Sequence, residues 1–141
     1  MKEQKLELKN VKSFYLTHIF ECGQCFRWNV NEDGSYTGVV KENVINIKMI
    51  DNNVHVESFG KDDLKNLFNF YFDMDRDYDE IKNELRSIDE NMKKSILYGD
   101  GIRLLNQDLW ETIISFIISA NNNIPRIKGI IESCQKDMDT K

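Results

Sequence analysis

The stretch SANNNIPR, residues 119–126, places three consecutive side-chain amides and a guanidinium within eight residues. An amide presents donors and an acceptor in one plane, and a guanidinium presents five donors and no acceptor. An Asn and an Arg that converge can therefore grip the hydrogen-bonding edge of a base. Conformation offers a second account. Asn tolerates left-handed geometry where a helix ends, and Asn also caps the helix that follows. Those two tasks employ two of Asn121, Asn122 and Asn123. They leave Arg126 one turn into the next helix, on a face able to look back at Asn121.

A second stretch, GQCFRW at 23–28, opens on Gly23. A residue without Cβ lets a ligand come close to the main chain. The same stretch also reads as a strand start with Phe26 and Trp28 on the core side, and both accounts stand. Cys22 and Cys25 form a C-x-x-C. A redox pair belongs at a helix N-terminus, where the dipole lowers a thiol pKa, but here the chain continues as a strand. A zinc site needs a second pair of ligands, and His18, His55 and Cys134 do not supply the spacing. The two thiols read as incidental, and neither metal nor cofactor is expected. The carboxylates between Asp73 and Glu90 fall at a helix start and along its solvated face. There is no glycine-rich phosphate loop and no Ser–His–Asp arrangement.

The elements that position these residues change character along the chain. Between 24 and 59, the runs QCFRWNV, SYTGVVK, VINIKMI and VHVESF are short and rich in β-branched and aromatic residues. The intervening NEDG, KEN and DNN have turn chemistry, so an antiparallel meander with one buried face is expected. Helical spacing then takes over. Leu64, Leu67, Phe68 and Tyr71 share one face of 62–72. Tyr78, Ile81, Leu85, Ile88, Met92 and Ile96 repeat through 78–96, with Asp89 placed to restart a helix. Gly99 and Gly101 break the pattern. Asp108 and Glu111 resemble a capping box before a helix over 109–120 that is apolar all round and therefore expects neighbours on most sides. A last helix begins near Asn123 with Pro125 in its first turn. Ile124, Ile127, Ile130, Ile131 and Cys134 form its apolar face.

With 141 residues, 40% hydrophobic and 30% charged, the chain suits one globular domain or one and a half small ones. A net charge of −5 argues against a binder that coats phosphates generically. The charged N-terminus has no signal-peptide core, and the longest apolar run is too short to span a bilayer, so no membrane partner is expected. Three cysteines without a secretion signal point to reduced thiols in a cytoplasm.

Taken together, GQCFRW (23–28), GIRLLNQD (101–108) and SFIISANNNIPRI (115–127), in this order and at these separations, resemble the N-terminal half of 8-oxoguanine DNA glycosylases. These belong to the helix-hairpin-helix glycosylase superfamily, and the likeness covers roughly residues 5–133. The resemblance implies an α+β fold. A twisted antiparallel sheet (TBP-like) with its covering helices would occupy 1–98, and the incomplete start of the helix-hairpin-helix domain would occupy 99–141. It implies base-excision repair by an N-glycosylase/AP lyase that flips oxidised guanine out from opposite cytosine. The partner would be double-stranded DNA containing 8-oxoguanine. Gly23 matches the glycine whose carbonyl accepts the N7–H that 8-oxoguanine has and guanine lacks. Phe116 matches an aromatic of the base pocket. Asn121 and Arg126 match the pair that holds the orphaned cytosine, and Asn122 matches a residue supporting the catalytic carboxylate.

The departures are as informative. The family's nucleophilic lysine and its aspartate lie beyond an L-P-G-x-G hairpin, and this chain has no such hairpin and no match to either residue. No catalytic residue is expected here, and the chain by itself should be inactive. It would need a C-terminal half or a self-association partner to cover its apolar helices. The alternative, from another class, is a non-catalytic DNA- or partner-binding module, one half of a split enzyme. The tail SCQKDMDTK (133–141) also lacks the family's aromatic–glycine helix ending. One AT-rich back-translation, read in another frame from the end of the Ser133 codon, restores such an ending, so a truncated or frameshifted product is expected. Action in a prokaryotic cytoplasm, at the nucleoid, completes the expectation.

Overall fold

The computed structural model describes residues 1–139, with side chains through Cys134; the readings of the tail beyond that point lie outside the described residues. Eleven elements follow in the order β1 (Lys2–Leu8), α1 (Leu16–Phe20), β2 (Trp28–Val30), β3 (Tyr36–Val40), β4 (Asn43–Ile50), β5 (Asn53–Gly60), α2 (Leu64–Tyr71), α3 (Tyr78–Arg86), α4 (Glu90–Tyr98), α5 (Leu109–Ser119) and α6 (Ile124–Asp139). The strands form one antiparallel sheet in the order β1-β5-β4-β3-β2. The expected meander is therefore present over β2 to β5, with helices after it.

Two differences concern the sheet. The N-terminal segment is a strand, β1, whose seven residues pair with β5 from Lys2 opposite Gly60 to Leu8 opposite Val54. Its Gln4, Leu6 and Leu8 turn inward and alternate with Glu3, Lys5 and Glu7. The period of two is visible in MKEQKLELKN, but the charges hid it. Those charges also suit an edge strand, because they discourage pairing with another chain. The second difference is that β2 starts only at Trp28, not at Gln24. Residues 24–27 are held by side-chain bonds instead of a ladder.

One sheet face is apolar at Tyr36, Ile45, Ile47, Val54 and Val56 and is covered by α1, α2 and Phe14. The cover is aromatic. Phe20 stacks on Trp28 with ring centroids 4.2 Å apart, and Phe68 meets Phe72 at 4.5 Å. Trp28 is buried, yet its indole N–H still donates to the Tyr71 hydroxyl at 3.0 Å. Gly38, directly opposite Trp28 in the register, makes room for that ring, since a Cβ there would come within 2.3 Å of it. Small opposite large is how adjoining strands reach interior density.

Four of the helices, α2 to α5, start on carboxylate caps. Asp63, Asp77 and Asp89 accept from backbone N–H groups of the first turns of α2, α3 and α4. Asp89 restarts a helix as its position suggested, and the turn over Ser87–Asp89 separates α3 from α4. The short α1 was not apparent in the sequence; five residues carry too little periodicity to read.

The exception to compact packing is α5. None of its eleven residues is buried, and Trp110 is 70% exposed and Phe116 76% exposed. Its packing within the chain is mainly against α6. Removing apolar area from water contributes about 25 cal/mol per Å2, so an open helix of this composition favours association. The isolated chain is therefore expected to enhance the fluorescence of a hydrophobic dye and to sediment as more than a monomer. A monodisperse monomer with no dye response would contradict this.

Candidate nucleic-acid interface

The residues between α4 and α5 belong to no helix or strand, yet almost every one is tied down. The strap from Gly101 to Gln107 runs across the aromatic side of the sheet unit. The Gly101 carbonyl accepts from Tyr15 N–H at 3.1 Å, and its N–H donates to His18 Nδ1 at 3.1 Å. A Cβ at Gly101 would fall 2.0 Å from the Tyr15 ring, so only glycine fits. Leu104 N–H donates to the Tyr78 hydroxyl at 3.0 Å, and Asn106 bonds the carbonyls of Tyr71 and Phe70 at 2.9 and 2.8 Å.

Arg103 is the deepest pin. It is 5% exposed, and its guanidinium donates to the carbonyls of Ser13 at 3.0 Å and Asp73 at 2.9 Å, with longer bonds of 3.5 Å to Phe72 and Lys12. Ser13 and Asp73 both have left-handed φ, of 50° and 51°, which turns their carbonyls toward the pin. The Tyr78 ring lies under the cation at 4.5 Å. Burial lowers the Arg103 pKa from its ordinary value, but arginine keeps its proton in proteins, so the group stays charged. A buried charge is tolerable only when its donors are met, as they are here. A single Arg amid Gly101, Ile102, Leu104 and Leu105 is the sequence signal for this role.

Gln24 fastens the GQCFRW stretch to the same strap. Its side-chain nitrogen donates to Ile19 O at 2.9 Å and Arg103 O at 2.8 Å, and its side-chain oxygen accepts from Leu105 N–H at 3.0 Å. Its main-chain carbonyl accepts from the Gln107 amide at 2.6 Å. Next to it, Gly23 has φ of 84°, a value that favours glycine. A Cβ built on Gly23 would meet the Ile124 side chain at 4.0 Å, so Gly23 adjoins the first residue of α6. That contact joins the glycine to the asparagine corner, about a hundred residues further along the chain.

At the corner each asparagine has a distinct position. Asn121 adopts φ of 52°, the left-handed turn that ends α5. Asn122 donates to Ile118 O at 3.1 Å, closing a C-terminal carbonyl of α5. Asn123 accepts from Arg126 N–H at 3.1 Å and caps α6. All three asparagines thus have a local task, where capping and a helix-ending turn account for only two. What remains unspent is the side chain of Asn121 and that of Arg126. Both residues are exposed, and neither side chain makes a hydrogen bond among the described residues. Phe116 is one turn before the end of α5. It is absent from the apolar groove of about 270 Å3 that Trp110, Ile114, Ile118 and Ile131 line between α5 and α6, so its ring faces another side of the helix.

Both helices are tethered to the start of β2. Asp108 accepts from Glu111 N–H at 3.0 Å, but the Glu111 carboxylate pairs with Arg27 at 3.2 Å and does not turn back, so only half of the expected capping box forms. On α6, Lys128 donates to Trp28 O at 2.5 Å. Cys25 is buried, and burial with the nearby Cys22 pushes its thiol up to about 12, the opposite of what thiolate chemistry requires. Among the described residues, no group of three His, Cys, Asp or Glu side chains could hold a metal ion.

Residues 6–113 match the model of the 8-oxoguanine DNA glycosylase N-terminal domain. The chain belongs to the 8-oxoguanine DNA glycosylase family. It is 31% identical over 137 residues to the N-glycosylase/DNA lyase of Saccharomyces cerevisiae, covering 88% of this chain and 36% of that protein. Its fold is similar to that of the Clostridium acetobutylicum 8-oxoguanine glycosylase/lyase in apo form, with 46% identity and a TM-score of 0.82 over 90% of this chain and 45% of the other. That enzyme in complex with double-stranded DNA containing cytosine opposite 8-oxoG gives the same identity and TM-score, over 90% of this chain and 44% of the other. This family member thus spans less than half the length of these relatives, and the α+β fold read from the sequence is the fold of their N-terminal part.

The corner separates structural from unspent groups, and the difference is measurable. Asn123→Ala should cost about 1 kcal/mol through loss of the α6 cap. Arg126→Ala should leave stability within about 0.5 kcal/mol, as for an unpartnered surface residue. Urea unfolding checks both; an Arg126 effect as large as that of Asn123 would mean that the guanidinium is structural.

Proposed function

We propose that this chain is the lesion-reading and cytosine-holding part of an 8-oxoguanine DNA N-glycosylase/AP lyase that acts in DNA repair on duplexes containing 8-oxoguanine. Gly23 offers its carbonyl to the N7–H of the lesion, and Phe116 walls the base. Asn121 and Arg126 hold the cytosine left behind, and Asn122 supports the catalytic carboxylate of the complete enzyme. A division at residue 98 sets the sheet unit apart from the strap and helices that carry the corner. The observation that carries the reading is the unspent pair. Asn121 and Arg126 are exposed and their side chains make no hydrogen bond among the described residues, on a corner beside Gly23. An amide and a guanidinium left open in this way suit a base edge.

Chemistry is a separate matter. The resemblance puts the lysine nucleophile and the aspartate in a C-terminal half, and no residue of this chain matches them. Recognition without a nucleophile does not break a glycosidic bond. The net charge of −5 leaves little non-specific phosphate attraction to hold DNA by itself. A second reading, a non-catalytic module that takes its partner through α5, draws support from the open apolar face of that helix.

The 141-residue chain alone should neither release 8-oxoguanine nor form an adduct trapped by borohydride; a trapped adduct would overturn the assignment of the chemistry elsewhere. Fused after Glu132 to the remainder of the Clostridium acetobutylicum enzyme, it should do both. In that fusion, Asn121→Ala with Arg126→Ala should weaken the preference for cytosine opposite the lesion by roughly 1–3 kcal/mol per lost contact. An unchanged preference, read from excision rates on the four opposite bases, would refute the role of the corner.

A further inference from the structure

Gly23 has a problem that its own geometry does not solve. Glycine is the least constrained residue, and a carbonyl on it can swing unless something else holds the peptide. Among the described residues no hydrogen bond reaches the Gly23 carbonyl. Its plane is shared with Gln24 N–H, because the peptide unit is rigid. Whatever fixes Gln24 therefore aims the Gly23 carbonyl.

We infer that Gln24 is the positioning residue for the Gly23 carbonyl, a clasp that references the lesion-reading oxygen to the buried strap. This rests on the proposed role of Gly23. Gln24 is fixed at both ends. Its side-chain amide spends both N–H groups, on Ile19 O and Arg103 O, and its oxygen on Leu105 N–H. Its main-chain carbonyl is held by Gln107. The two strap residues beside Gln24, Arg103 and Leu105, are fixed in turn, Arg103 by four carbonyls and two aromatic faces. Gln107 precedes the cap of α5, the helix that carries Phe116. One strap thus sets the carbonyl and the pocket aromatic in a common frame. Four bonds, three to the side chain and one to the carbonyl, converge on the residue after the reading glycine and fix it on both sides. Discrimination by one hydrogen bond of changed polarity demands that frame, because a carbonyl free to turn would accept the donor of one base and avoid the lone pair of the other.

Three variants test it. In the 141-residue chain, 15N relaxation at the amide of residue 24, which shares its plane with the Gly23 carbonyl, should give an order parameter near 0.85 for the parent and below about 0.6 for Gln24→Ala, with the amides of β3 to β5 unshifted. Gln107→Ala, which frees only the main-chain end, should fall between them and guards against a Gln24 variant that does not fold. In the fusion described above, Gln24→Ala should lower the ratio of kcat/KM for 8-oxoguanine over guanine by about tenfold or more, the scale of one hydrogen bond. A loss of stability alone would lower both rates together and leave the ratio. Gly23→Ala is the control for the underlying reading. If Gly23→Ala collapses the ratio while both Gln24→Ala and Gln107→Ala leave it, or if the amide of residue 24 stays rigid in both, the clasp is refuted and the reading stands. If Gly23→Ala leaves the ratio intact, the reading fails and the clasp falls with it.

Discussion

The arrangement depends on one buried cation. Arg103 sits inside the sheet unit with no carboxylate in ion-pair contact among the described residues; carbonyls and ring faces meet its guanidinium directly, and the charges of Asp73, Asp79 and Asp77 support it from further away. Removing a full charge from water is costly, so such a group stays where it is only while every donor has an acceptor. The carbonyls of Ser13 and Asp73 meet it because both residues accept left-handed backbone geometry. Asp73 in turn holds Tyr78, whose hydroxyl holds Leu104 of the strap. These bonds form a closed network, and closed polar networks are stiff because each loss leaves another group unsatisfied.

From that pin the strap distributes position outward. It carries Gln24, and through Gln24 the Gly23 peptide; it delivers Asp108 as the cap of α5; and α5 ends at the asparagine corner. Arg27 with Glu111 and Lys128 with Trp28 tie α5 and α6 back to the first residue of β2 and the residue before it. The exposed ion pairs on the sheet, such as Lys5 with Glu57, contribute little by comparison, because solvent screens them. The two helices are thus located by a few polar tethers and the buried Ile127 and Ile131, while most of their apolar surface stays uncovered. The chain spans less than half the length of these relatives.

The division of labour along NNN is instructive about polar residues at helix ends. A cap and a left-handed turn each need one small polar side chain, and a loose carbonyl of α5 takes the third. The three amides are thus consistent with both accounts at once. Local structure uses the side chains of Asn122 and Asn123, while Asn121 serves the turn with its backbone and keeps its amide free. Arg126 uses its N–H in the cap and keeps its guanidinium. A backbone can thus be spent on folding while the side chain remains for a ligand.

The sequence by itself determined the meander, its turns, the carboxylate caps and the helices from 62 onward, because periodicity and capping are local and each is expressed within a few residues. It also marked the motifs that carry the family. It did not disclose β1, whose pairing is with a strand some fifty residues away and whose charges resemble a solvated tail. Nor did it disclose that 24–27 are clasped by a glutamine and not by a ladder, or that one capping-box carboxylate serves Arg27. Only the tertiary structure decided that Gly23 lies against Ile124 and that Arg103 is buried. Both facts join residues distant along the chain, and no local pattern encodes them. They arise where separately formed elements meet and must satisfy one another's polar groups.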